Sequence, residues 1–117
     1  MRINSDPIEY IVDIENASSK PAVIYCTIGQ DVFKRVVLPG VGPNYIDCPI
    51  TPQGDNKITC DIDLIVLGKL HVHFDLFNFE RDRNNCDDGH FCSWEIQEEG
   101  VCMGSKTDCK LFFMWNK

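Results

Sequence analysis

No run of apolar residues in this chain approaches the roughly 20 that a membrane-spanning helix needs. No segment repeats apolar residues at helical spacing, and there is neither a glycine-rich phosphate loop nor a serine nucleophile elbow. Internal repeats, low-complexity tracts and linker-like stretches are also missing. The 117 residues therefore read as one domain, 1–117, with its core over about 8–115. Positive charge is scarce, with 11 Lys and Arg against 18 Asp and Glu and a net charge of −7. That balance repels nucleic-acid backbones and anionic membrane surfaces, so neither nucleic acid nor membrane insertion is expected. Residues 1–7 lack the apolar stretch of a signal peptide, so the chain reads as a mature form.

Cysteine, by contrast, is abundant. Seven in so short a chain favour an oxidising compartment and a secreted, extracellular protein. The alternative is a cytosolic protein that keeps its thiols reduced. Seven is odd, so one thiol stays free or pairs between chains.

The dominant periodicity is two. Ile8, Tyr10, Val12 and Ile14 alternate with Glu9, Asp13 and Glu15, which makes a first strand with one buried face. Residues 16–21 form a turn, residues 22–28 and 31–38 form two more strands, and the Gly/Pro cluster at 39–43 stops the third. A short extended piece at 45–48 precedes a polar loop at 49–56. Ile58, Cys60, Ile62, Leu64 and Val66 then share one face opposite Lys57, Thr59, Asp61 and Asp63. Leu67-Gly68 connects this strand to residues 69–77, with Leu70, Val72, Phe74 and Leu76 inward, and the pair makes a β-hairpin. Residues 93–97, 101–103 and 110–115 supply the last strands. The expected fold is all-β: an antiparallel β-sandwich of about seven to nine short strands. Trp94 and Trp115 fit its core by their strand spacing with Ile96 and Phe113.

One segment is more specific than the rest. Arg81-Asp82-x-x-x-Cys86 leads to Cys92-x-Trp94-x-Ile96-x-x-x-Gly100-Val101-Cys102, with Trp115 near the end. Upstream lie Ile24-Tyr25-Cys26, Ile58-Thr59-Cys60-Asp61-Ile62 and the aromatic strand at 72–77. This order of elements resembles the plant self-incompatibility S1 family, the S-protein homologues. The chain departs from the pattern in its Tyr25, in the added Asp87-Asp88-Gly89-His90 between Cys86 and Cys92, and in Cys48, which marks it as a divergent member. The resemblance implies a secreted, disulfide-stabilised sandwich with no cofactor and no catalytic residues. It also implies a signalling ligand or recognition factor for a cell-surface receptor.

The family pattern pairs Cys26 with Cys60 and Cys86 with Cys92. Cys102 and Cys109 bracket a polar turn and make a natural third pair, which leaves Cys48 as the free thiol. In the chain-entropy account the 26–60 closure contributes roughly 3.8 kcal/mol and the 102–109 closure roughly 2.5 kcal/mol. Zinc held by Cys86, Cys92, Cys102 and Cys109 with His90 is the weaker reading, because the spacings are poor for structural knuckles. His71, His73 and Asp75 project from one strand face and could share a metal ion, but a solvated polar row is the plainer reading, so no metal is assigned.

Cys48 lacks a neighbouring histidine, and the carboxylate beside it is expected to raise its pKa, so it is not a nucleophile. It is the one route to an intermolecular disulfide in an otherwise monomeric protein. Arg81 and Asp82 are expected to form a structural ion pair. Asn16-Ala17-Ser18 is a glycosylation sequon in an expected surface turn. Since strands are committed to packing, partner contacts are expected in the loops, at Gln30, Asp31, Val41, Asn44, Gln53, Asp55, Asp87, Asp88 and His90. The alternative function is a secreted defence-type module binding carbohydrate or metal; an enzyme ranks last.

Overall fold

In the computed structural model, which describes residues 8–87, 89–105 and 107–116, nine strands form two facing sheets. They are β1 (Glu9–Asn16), β2 (Ala22–Ile28), β3 (Asp31–Val37), β4 (Tyr45–Pro49), β5 (Lys57–Leu64), β6 (Leu70–Asn78), β7 (Phe91–Ile96), β8 (Gly100–Ser105) and β9 (Asp108–Met114). One sheet runs β4-β1-β7-β8-β9 and the other β3-β2-β5-β6. The period-two alternation does what it implies: Tyr10, Val12 and Ile14 of one sheet and Ile24, Ile58, Ile62 and Leu64 of the other are buried between the layers. Trp94 and Trp115 join that core. The ring of Trp94 packs on Phe74 at 5.1 Å between centroids and on Phe113 at 6.1 Å.

Three features differ from the sequence-based expectation. The sandwich is not wholly antiparallel, because β1 pairs with β7 in parallel, Ile11 beside Phe91 through Asn16 beside Ile96. Alternation reports which face of a strand is buried and carries no information about the direction of its neighbour. A short helix, α1 (Phe79–Asp82), follows β6; four residues are too few to show a helical stripe, and it starts instead on an Asn78 cap whose side chain accepts from Arg81 N. Finally, β5 ends at Leu64 rather than carrying Val66, because the turn to β6 begins there. A bulge between Ile58 and Thr59 shifts the pairing with β6, and in β6 both Leu76 and Phe77 are fully buried.

The two sheets are stapled at one end by Asn16. Its Nδ2 donates to Lys20 O at 2.8 Å and to Val37 O at 2.9 Å, while its Oδ1 accepts from Ser18 N and Ser18 Oγ. The side chain thus ties the β1–β2 turn to the end of β3 in the opposite sheet. This corrects the picture of an exposed sequon. Asn16 is 2% exposed, and a glycan on Nδ2 would replace a hydrogen already used inside the protein.

Replacing Asn16 by Ala strips partners from two carbonyls and a buried hydroxyl, so a loss of about 2–3 kcal/mol is expected in denaturant unfolding. A loss below about 0.5 kcal/mol, within the range of ordinary surface substitutions, would mean that the staple does not hold the sheets. Protein made in a glycosylating host should likewise show no added glycan mass at Asn16.

Candidate recognition surface

The loops expected to contact a partner separate into two groups. Gln30 lies in the β2–β3 turn and Asp31 opens β3, while Gln53 and Asp55 lie in the β4–β5 loop; all four are exposed. These two loops meet across a shallow groove of about 250 Å³ lined by Ile28, Gly29, Asp31, Thr51 and Asp55, among others. Asp87 and His90 precede β7 at the same end of the sandwich, where His90 stacks on Tyr10 with centroids 4.5 Å apart. His90 is only partly exposed and has a φ of 60°, a left-handed conformation uncommon outside glycine. The backbone around it is fixed by Ile11 N donating to His90 O at 2.9 Å and Asp87 N to Phe91 O at 2.9 Å. Asp88, beside them, lies outside the described residues.

The β3–β4 loop lies at the opposite end. There Val41 is exposed, but Asn44 is not available to a partner. Its Nδ2 donates to Ile14 O at 3.0 Å and Val41 O at 3.3 Å, its Oδ1 accepts from Arg35 Nη1, and it is 5% exposed. Like Asn16, it closes a crossing between sheets, which a turn-type residue does not advertise in the sequence.

The three expected cystines are present: Cys26–Cys60 between paired strands β2 and β5, Cys86–Cys92 across the corner before β7, and Cys102–Cys109 across the β8–β9 hairpin. Four cysteines of the zinc reading are therefore consumed. The His71, His73 and Asp75 row does not converge either. His71 Nδ1 meets Asp63 Oδ1 at 2.5 Å and His73 Nδ1 meets Asp61 Oδ1 at 2.9 Å, each across the β5–β6 pair, while Asp75 accepts from Thr59 Oγ1 at 3.0 Å. Among the described residues no group of three or more His, Cys, Asp or Glu is arranged to hold a metal ion.

Cys48 is free but 1% exposed. An intermolecular disulfide through it is thereby closed off, because its thiol faces the core. Its pKa is pushed up to about 11, first by burial and second by the negative charge of Glu9. The adjacent Asp47 is not the cause, since alternation turns it to the other, exposed face of β4.

Arg81 and Asp82 form the expected ion pair, with Nε to Oδ1 at 2.6 Å and Nη2 to Oδ2 at 2.7 Å. Asp82 is fully buried and also accepts from Asn78 N, while Arg81 Nη2 reaches Asp75 O at 2.8 Å. A buried carboxylate held by a partly exposed guanidinium, with these extra bonds, fixes the α1 corner in one geometry.

A second concavity, unforeseen from the sequence, lies on the outer face of the five-stranded sheet. It holds about 390 Å³ and is lined by Asp13, Glu15, Asp87, Glu95 and Asp108, with Phe91 at its side. Parallel pairing creates it by setting Glu15 directly beside Glu95. Asp13 is 8% exposed and accepts from Asn44 N at 3.1 Å; burial raises its pKa more than that hydrogen bond lowers it. The one available signal was the outward row Glu9, Asp13 and Glu15 of β1, which reads as an ordinary solvated face until its neighbour is known.

These features define a class: a small, cystine-bonded β-sandwich whose exposed chemistry is in surface loops and a charged sheet face. The chain belongs to the plant self-incompatibility protein S1 family, whose family model matches residues 12–115. It is thus a protein of self-incompatibility-like recognition type. No curated protein matches it.

Two outcomes test the titrating groups. Iodoacetamide at pH 8 should leave folded protein unmodified and add one label per chain in denaturant without reductant, with a six-proton mass gain on reduction of the three cystines. Labelling of the folded form would contradict the buried thiol. For Asp13, a folded pKa above its ordinary value means that the native state holds the proton more tightly. Stability is therefore lost as pH rises from the ordinary value through the folded one, and the cost remains at neutral pH. Asp13→Asn should be more stable than the unaltered protein at pH 7, with the advantage shrinking toward zero below the ordinary carboxylate range. An advantage that is independent of pH would refute the assignment.

Proposed function

We propose that this protein is a small secreted, non-enzymatic ligand whose loops bind a cell-surface receptor protein. The observation that carries the proposal is the gathering of the β2–β3 turn, the β4–β5 loop and the segment before β7 at one end of a rigid scaffold. Their polar side chains Gln30, Asp31, Gln53, Asp55 and Asp87 are exposed, while their ends are tied to strands and a cystine. Rigid presentation lowers the ordering entropy that binding would otherwise cost. Three cystines within about 100 residues fit an oxidising, extracellular setting and are hard to keep in the cytosol. Family membership supports the recognition role, and a receptor is the kind of partner that such a role needs.

Length-matched Gly/Ser replacement of residues 30–31, 41–42 and 53–55, and Asp87→Ser as the fourth variant, should leave the cystines and thermal midpoint nearly intact. Binding of the labelled protein to plant tissue should fall sharply for the three loops at the common end. Retention of binding by all four variants would sink the loop-ligand reading.

A further inference from the structure

The outer face of the five-stranded sheet is not arranged for stability alone. Glu15 and Glu95 are cross-strand neighbours, and like charges so placed destabilise a sheet. Gln97 Nε2 donates to Glu95 Oε1 at 2.9 Å but brings no charge. Among the described residues no Lys, Arg or His lies within 4 Å of the carboxylates of Asp13, Glu15, Asp87, Glu95 or Asp108. The cation that lines the cleft, Lys110, directs its ammonium to Asn85 O at 3.2 Å.

Asp13 is the sharpest case. It is a carboxylate 8% exposed, lining an open cleft, with a backbone N–H but no cation beside it. Removing a carboxylate from water without a counter-charge is costly, and an entering cation would offset that cost. The cleft also has an aromatic shoulder: Phe91 lines it, and the half-exposed Tyr45 ring lies edge-on to Phe91 at 6.0 Å. A planar guanidinium can engage carboxylates in a fork and stack on such a ring, which a compact ammonium or a hydrated metal ion cannot do equally well.

We propose that this cleft is a docking site for an arginine-bearing segment of a protein partner, with Glu15 and Glu95 as the main contacts and Asp13 at its floor. The proposal rests on the ligand reading above and adds a second contact surface, on a strand face rather than at the loop end. It also gives the partner a sign: basic.

The test is an amide NMR titration with an acetylated, amidated Gly-Arg-Gly-Arg-Gly peptide at low salt. Shifts should concentrate on residues 13–15, 93–95, 104–105 and 108–110, and Glu15→Gln/Glu95→Gln should raise Kd by about tenfold or more. The charge-matched pair Asp61→Asn/Asp63→Asn, on the outer face of the other sheet, should change Kd by less than about twofold. Equal weakening by both double variants, or shifts spread over both sheets, would reduce the effect to net charge and overturn the proposal. Calcium chloride alone shifting the same amides and excluding the peptide would make the cleft a metal site and overturn it as well. Tissue binding separates the two ideas. Full binding by the Glu15→Gln/Glu95→Gln protein removes the cleft and leaves the loop ligand standing. No tissue binding by the unaltered protein removes the ligand reading, and the peptide titration then decides the cleft by itself.

Discussion

Strand β1 sits between β4 and β7, and the parallel ladder from Ile11 beside Phe91 to Asn16 beside Ile96 is the contact on which the architecture turns. It joins residues about eighty positions apart, so its closure carries a large share of the chain entropy lost on folding. Its inner residues Val12, Ile14, Trp94 and Ile96 are buried against the second sheet, which offsets that loss with apolar burial. At its far end Asn16 crosses to β3, so the same strand that completes one sheet also locks its distance from the other. The cleft, the β7 corner and the position of His90 against Tyr10 all inherit their geometry from this ladder.

The cystines reinforce contacts that other forces already favour. Cys26 and Cys60 are direct cross-strand neighbours, so their bond secures a register that alternation sets independently. Cys86–Cys92 acts where no ladder is available, at the corner between α1 and β7, and there the Arg81–Asp82 pair works with it. Cys102–Cys109 closes a hairpin in which Gly100 and Gly104 each leave no space for a side chain against β9. A small domain with a core this thin gains most from cross-links placed at its corners and edge.

The strands were legible because burial writes itself into sequence at period two. All nine observed strands share their central residues with the expected ones and differ only in their boundaries, as at β8 and β9 of the hairpin 100–114. The family resemblance was legible in the residues around Trp94 and implied the 26–60 and 86–92 cystines, while the third followed from the polar turn that Cys102 and Cys109 bracket. Strand direction was not, since a parallel neighbour leaves no mark on alternation. The same limit hid the acidic cleft, which exists only once β1 and β7 are set side by side. Asn16 and Asn44 were misplaced for another reason: an asparagine at a turn looks the same whether its amide meets water or bridges two sheets.

That last distinction bears on where recognition can reside. A loop residue is free to evolve only if the fold does not use it, and by that measure Asn44 is removed from the surface while Gln53 and Asp55 remain. A strand residue is ordinarily committed, but only on its inner side. The outer sides of β1 and β7 carry carboxylates that the fold tolerates at some cost and does not need. Stability arguments account for hydrophobic inner faces, capped corners and buried polar groups; they do not account for Glu15 beside Glu95, neither of which forms a salt bridge among the described residues. A feature that folding opposes and solubility alone does not require, given the acidic residues spread elsewhere, points to binding. On the proposed reading the sheet face joins the loop end as candidate recognition surface, and the inter-sheet staples mark polar residues that the fold itself uses.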